Sequence, residues 1–133
     1  MSDAGISAPA QAFLAEHVDS VLLLELLLLL HARRDQAWSA AQISTELRME
    51  TAWADEQLHR LCAREVLTCT DGPQPTYRYE PRSPAVAGAV DDLARAYADR
   101  RVAVISLIYS KPMDKIRSFA DAFRLRGKDK PHG

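Results

Sequence analysis

With 133 residues the chain is long enough for one domain and an appended tail, and too short for two full domains. Hydrophobic residues make up 47% and charged residues 26%, the balance of a folded chain and not of a disordered one. Lys plus Arg number 17 against 18 Asp plus Glu, which excludes a surface that traps polyanions as a whole; residues 1–82 nevertheless hold 7 basic and 12 acidic side chains, and residues 83–133 hold 10 basic and 6 acidic.

Residues 1–8 are small and polar and are expected to fray, within an N-terminal arm over 1–19. Pro9 suits the first turn of a short helix to about His17, with Phe13 and Leu14 as its apolar face. Ser20 then caps a second helix to about Arg34. Leucine occupies positions 22, 23, 24, 26, 27, 28, 29 and 30, so apolar side chains point in nearly every direction. An amphipathic helix carries one apolar stripe; this one must be covered on several sides, by its own chain or by a second copy.

Ala37 and Trp38 read as a short extended link. Ser39 with Gln42 three residues on is a capping box, opening a third helix with Ile43 and Leu47 inward and an end near Arg48. Thr51 is expected to cap a fourth helix to about Arg64, with Ala54, Leu58 and Leu61 on its inner face. Val66 to Thr70 and Thr76 to Glu80 alternate like strands around the turn cluster Asp71-Gly72-Pro73-Gln74-Pro75, which predicts a hairpin.

Ser83-Pro84 opens a predicted helix that nothing interrupts before Ser110-Lys111-Pro112, roughly 39 Å at 1.5 Å per residue. Val86, Val90, Leu93, Tyr97, Val104 and Leu107 form a near-heptad seam broken at Arg100, and Ile108 adds to the apolar far end. These are the candidate dimerisation residues. Pro112 restarts a shorter helix to about Arg126, whose stripe includes Ile116, Phe119 and Phe123, with Arg124 among its flanking cations. This docking helix closes a C-terminal region over 83–126, and 127–133 reads as a flexible tail.

Three helices followed by a two-stranded hairpin is the order of a winged helix-turn-helix domain, and residues 20–82 resemble one. The resemblance rests on Ser39 to Leu47 as the first helix of the helix-turn-helix. It also rests on Leu58 to Leu61 running into Val66-Leu67, like the end of a recognition helix entering a wing strand. One departure is Glu65, which stands where such domains often place glycine. A left-handed Glu costs on the order of 1 kcal/mol, so the turn is expected to take another form. Ile108 to Arg126 is similar to the tail of a group of bacterial winged-helix proteins, which implies fold and bacterial origin and carries no mechanism.

Chemistry-bearing residues are sparse. His59 and Cys62 lie one helical turn apart, but Cys69 falls on a strand and no fourth ligand has metal-site spacing. Helical phase and strand alternation instead predict that Cys62 and Cys69 are buried structural thiols, and two cysteines are too few for a disulfide scaffold. No phosphate loop, nucleophile elbow or catalytic set can be assembled, so no catalytic residue, metal, cofactor or small-molecule ligand is expected. No basic residue precedes Arg33, so no secretory leader is expected, and the run Val21 to Leu30 is too short for the ~20 residues of a bilayer span. A cytoplasmic protein without membrane insertion is expected.

The fold class expected is mainly α with a small hairpin, a winged helix-turn-helix followed by a long C-terminal helix and a short terminal one. The resemblance implies a transcription-associated protein that binds DNA; the absence of a catalytic set makes it non-catalytic, and the all-round leucine helix with the overlong helix 84–109 predicts a homodimer. Its nucleic-acid or partner-binding candidates are Trp53, Asp55, Glu56, Gln57, His59, Arg60, Arg78 and Arg82. Charge argues for an alternative. Asp55 and Glu56 suit the helix dipole but would face phosphate in a groove, so the same surface could instead hold a basic protein partner in an adaptor without DNA contact. Trp53 is either a core residue, the preferred reading, or an anchor of such an interface.

Overall fold

The computed structural model describes residues 5–110. Helix α1 (Ala8–His17) begins at Ser7, whose hydroxyl accepts from the Ala10 amide at 3.2 Å, and Pro9 sits in its first turn. Helix α2 (Val21–Ala32) is capped by Ser20, accepting from the Leu23 amide at 3.0 Å. Helix α3 (Ala40–Leu47) opens on the expected box: the Ser39 amide donates to Gln42 Oε1 at 2.9 Å and the Gln42 amide to Ser39 Oγ at 3.1 Å. Helix α4 (Thr51–Ala63) is followed by strands β1 (Leu67–Cys69) and β2 (Tyr77–Tyr79), then helix α5 (Pro84–Asp99) capped by Ser83.

The strands pair antiparallel in the register Leu67↔Tyr79, Thr68↔Arg78 and Cys69↔Tyr77. The link at Trp38 is more than extended: its amide donates to the Tyr77 carbonyl at 2.8 Å, and its carbonyl accepts from the Tyr77 amide at 2.7 Å. Trp38 thus adds a third, one-residue strand on the free edge of β2. Thr51 does not cap α4; Glu50 holds the cap position, without a side-chain cap bond, and Thr51 is the first helical residue.

One hydrophobic core gathers all the helices. Leu23, Leu24, Leu26, Leu27 and Leu30 of α2 are buried in it, so most of the leucine helix is covered by its own chain. The one charge in that run, Glu25, is bound as well. Tyr97 Oη donates to Glu25 Oε2 at 3.2 Å and Arg101 Nη2 reaches the same oxygen at 3.4 Å. Residues 5–8 are anchored and not frayed: Ile6 is buried, and Ser7 Oγ donates to Asp92 Oδ2 at 2.9 Å.

The long helix expected over 84–109 is two pieces. Arg100 leaves helical geometry (φ −135°, ψ 55°), and residues 101–110 form a second helical segment. Arg100 lies against Gly5, where a Cβ would come within 2.8 Å of its Nε. The break lets Val104 and Ile108 enter the same core as Val90 and Leu93. All four are buried within the chain and are not available as a dimer seam, whereas Val86, Tyr97 and Leu107 are half-buried at its edge. The expected docking helix with Ile116, Phe119, Phe123 and Arg124 lies outside the described residues, as does the tail.

A polar cluster ties α2, β2 and α5 together. His31 Nε2 lies 2.8 Å from Asp91 Oδ1 and 2.9 Å from Arg34 Nη2, so that one nitrogen either donates to the carboxylate or accepts from the guanidinium. The His31 ring meets Tyr79 edge-on, and Arg34 lies over the Tyr79 ring. Tyr79 keeps its phenol neutral, its pKa pushed up to about 12 by burial and by Asp91, and its hydroxyl bonds to no described residue. The hydrogen bond with His31 holds the Asp91 carboxyl below its usual pKa, aided by the charges of His31, Arg34 and Arg95 against the cost of burial.

A carboxylate depressed in this way stabilises the fold fully above its unfolded pKa, and the gain is lost as pH falls through the lower native value. Asp91→Asn should therefore flatten the acid limb of melting temperature against pH, recorded between about pH 5 and pH 2. Asp91 is partly exposed, and solvent screening holds the difference at neutral pH below about 1 kcal/mol. Parallel curves for parent and variant would remove Asp91 from the pH response.

Candidate nucleic-acid interface

The helix pair α3 and α4 and the hairpin make up the surface that the sequence singles out. At the turn between the helices, Arg48 adopts left-handed geometry (φ 57°, ψ 56°) and the Met49 amide donates to the Ser44 carbonyl at 3.1 Å. On α4, Ala54, Leu58 and Leu61 face inward as their spacing predicts. Gln57 joins them, only 5% exposed, with its Oε1 accepting from Arg60 Nη1 at 3.0 Å. Gln57 is therefore not a base-reading side chain. It stands three residues from Ala54 and four from Leu61, and this position on the inner stripe outweighs its polar type.

Trp53 is half-buried against the core, between the two readings of it. The outward face of α4 presents Ala52, Glu56, His59, Arg60 and Ala63, with Asp55 at its margin. His59 is engaged: its Nδ1 lies 2.9 Å from the Asp55 carbonyl, 3.5 Å from Asp55 Oδ1 and 3.3 Å from Tyr77 Oη. Burial, and then the Asp55 charge, push the Tyr77 phenol above its usual pKa, so it stays neutral and is able to donate to that ring.

Beyond α4, Arg78 projects from the hairpin face opposite Tyr77 and Tyr79, and Arg82 lies 3.7 Å from Glu65 Oε2. Arg64 is drawn to α1, donating to the Glu16 carbonyl at 3.1 Å and approaching His17 Nδ1 at 2.8 Å. Arg48 and Arg78 make no ion pair with a described residue. The helix pair and hairpin thus carry three exposed cations, Arg48, Arg60 and Arg78, against Glu50 at the start of α4, Glu56 on its outer face and Asp55 at the margin.

The turn from α4 into β1 departs from expectation twice. Glu65 does take the left-handed conformation (φ 65°), because the Glu65 amide donates to Cys62 O at 2.9 Å and the Val66 amide to Leu61 O at 3.0 Å. This is the Schellman pairing that satisfies the last carbonyls of a helix, and it offsets the cost of a side chain at that φ. Cys62 and Cys69 are joined in a disulfide with their Cα atoms 6.4 Å apart, and neither is a buried thiol. Cys69 shares a strand face with Leu67 as alternation requires, but at the strand's end it is exposed. Among the described residues no group of His, Cys, Asp and Glu is arranged to hold a metal, and no helix is long and apolar enough to cross a membrane.

No protein-family model matches the chain, and no curated protein is similar in sequence. Among solved structures, the chain is similar to MepR, a transcription regulator of the Staphylococcus aureus multidrug efflux pump MepA. The TM-score is 0.53 at 9% identity, over 88% of this chain and 86% of that one. The transcriptional regulator Tm0710 from Thermotoga maritima follows at TM-score 0.48 and 12% identity, over 96% and 89% of the two chains. Lactococcus lactis ZitR follows at 0.46 and 15%, over 84% and 77%. At these identities the likeness concerns fold, and only the first is near enough to carry it.

Proposed function

On the winged helix-turn-helix fold that the chain adopts, we propose a non-catalytic regulatory protein that acts as a homodimer and binds DNA through α4 and the hairpin. The observation that carries this reading is the presentation of α4. Its inner stripe is buried, its C-terminal turn is tied to β1 and its outer face is exposed, with Arg48 exposed at the turn that enters it and Arg78 exposed on the hairpin. Fold alone does not assign function, but a rigidly held helix with an open face beside a hairpin is the geometry that a major groove accepts. Non-specific contact would come from Arg48, Arg60 and Arg78. His59 and Arg60 are the groups left to meet base edges once Gln57 is withdrawn.

A second reading has its own support. Asp55 and Glu56 stand on the presented face, Arg60 is partly committed to Gln57, and residues 1–82 carry more acidic than basic side chains. An adaptor holding a basic protein partner would use the same face. Binding to a random duplex, followed against salt, separates the two. DNA binding loses affinity steeply as salt rises, and the adaptor shows negligible DNA affinity at physiological salt.

The homodimer is proposed on a different set of residues from the heptad seam. Val102 and Tyr109 are 77% and 69% exposed on the segment 101–110, the most exposed large apolar side chains among the described residues. A second copy covering them would remove that area from water. Sedimentation at micromolar concentration should give about twice the chain mass of 14.8 kDa. Val102→Asp with Tyr109→Asp should halve it with the far-ultraviolet circular dichroism unchanged, since neither side chain supports the fold from inside. A parent that sediments as a monomer would refute the dimer.

A further inference from the structure

We propose that Cys62 and Cys69 form a reversible thiol–disulfide site, open to small thiols, whose oxidised form clasps the outer strand of the hairpin to α4. This goes beyond the DNA-binding reading and does not depend on it. The bond joins the last turn of α4 to the end of β1, seven residues apart in sequence. Both sulfurs can be approached: Cys69 is exposed, and Cys62 is partly so. Open clefts of about 310 Å³ and 300 Å³ reach the bridge from two sides, the first passing Glu65 and Arg82 and the second passing Ala37 and Thr76.

What the clasp holds follows from the sheet. Strand β2 is secured along both edges, by Trp38 on one side and β1 on the other, and by buried Tyr77 and Tyr79. Strand β1 is an edge strand. Its first residue, Leu67, is buried, but Thr68, Cys69 and Thr70 are exposed, and so are residues 71–74 of the turn. After Leu67 this strand is held by its pairing to β2, by the exposed side-chain bonds of Thr68 to Glu80 and of Thr70 to Thr76, and by the disulfide, and of these bonds the disulfide is the one that reaches back to α4. A two-stranded hairpin is marginally stable by itself, so loss of the cross-link frees its outer arm while leaving the core untouched.

The exchange balances without any further reactant. An external thiolate attacks the exposed Cys69 Sγ and breaks the bridge. This leaves a mixed disulfide on Cys69 and a Cys62 thiolate that takes a proton from water. A second thiolate attacks the external sulfur, releasing the oxidised small disulfide and the Cys69 thiol. Two electrons pass from two small thiols to the bridge, and an excess of the small disulfide reverses both steps.

Hydrogen exchange by mass spectrometry on the full chain tests this, with glutathione as the thiol and glutathione disulfide as the oxidant. In reduced protein, peptides spanning 67–79 should exchange about ten-fold faster or more, while those of α2 and α5 keep their protection. Two iodoacetamide-reactive thiols should appear per chain and vanish on reoxidation. Cys62→Ser with Cys69→Ser should show the reduced pattern under oxidant as well; should that variant not fold, the reduced parent carries the comparison. Four results would overturn the proposal: a bridge that glutathione does not open in the folded protein, a pair that glutathione disulfide does not close, equal exchange of 67–79 in both forms, or loss of protection throughout the core on reduction. The last would make the bond a staple of the whole fold.

Discussion

Leu27→Ala should lower stability by about 2–5 kcal/mol, the cost of a vacated leucine site in a close-packed core. For a domain of this size that is a fall in melting temperature on the order of 10 °C. Leu27 is fully buried, as are Leu24, Leu26 and Leu30 on the same helix, whereas Leu22 is 38% exposed. Leu22→Ala should therefore cost less than about 1 kcal/mol, near the range of surface substitutions. The contrast within one run of leucines matters because the residue type is constant and only packing differs. Total stability of a domain is about 5–15 kcal/mol, so a double Leu24→Ala, Leu27→Ala variant, losing about 4–10 kcal/mol if the two add, should retain only a small part of the parent's stability at room temperature. Thermal melts of the single variants decide it: equal losses at positions 22 and 27 would mean that α2 is not packed within the chain as described.

The elements that could be read from sequence are those set by short-range chemistry. Ser20, the pair Ser39 and Gln42, and Ser83 marked helix starts because a hydroxyl or amide satisfies orphan amides whatever the rest of the chain does. The hairpin was legible from alternation around Asp71 to Pro75, and its register places Leu67 opposite Tyr79 as the alternation requires. Tertiary context decided the remainder. Arg100 has neither proline nor glycine beside it, and the break there serves the burial of Val104 and Ile108. Glu65 takes a backbone conformation that its residue type disfavours because two helix-end hydrogen bonds require it.

The candidate surface was partly legible, and its errors share a cause. Periodicity says that a residue is covered and does not say by what. The heptad spacing of Val90 and Leu93 suits a twin, yet their own chain covers them; the inward phase of Cys62 and Cys69 suits packing against neighbours, yet the two are bonded to each other. The inward phases that suggested burial are also those that brought the two sulfurs together. The residue type of Gln57 suits a reader of bases, but its place on the inner stripe buries it. The His59–Tyr77 contact had no sequence signal, since it joins residues 18 apart through the fold.

The second large effect concerns charge. A two-fold dimer presenting Arg48, Arg60 and Arg78 from each subunit would neutralise up to six phosphates. At about 0.9 per phosphate the slope of log affinity against log salt is then about −5. Asp55→Lys with Glu56→Lys adds two cations per subunit and should steepen it to about −9, with a large gain in affinity at low salt. Arg60→Ala should cost about 1–3 kcal/mol if that side chain reads a base, while Arg78→Ala should weaken all duplexes alike and make the slope shallower. Under the adaptor reading the lysine variant would acquire DNA binding that the parent lacks and would lose a basic partner. Fluorescence anisotropy of the unaltered protein on a random duplex, titrated between 50 and 200 mM salt, tests the account most directly: a slope near −5, with roughly a thousand-fold loss of affinity across that range, is the result it predicts, and no measurable binding at 50 mM, or binding indifferent to salt, would contradict it.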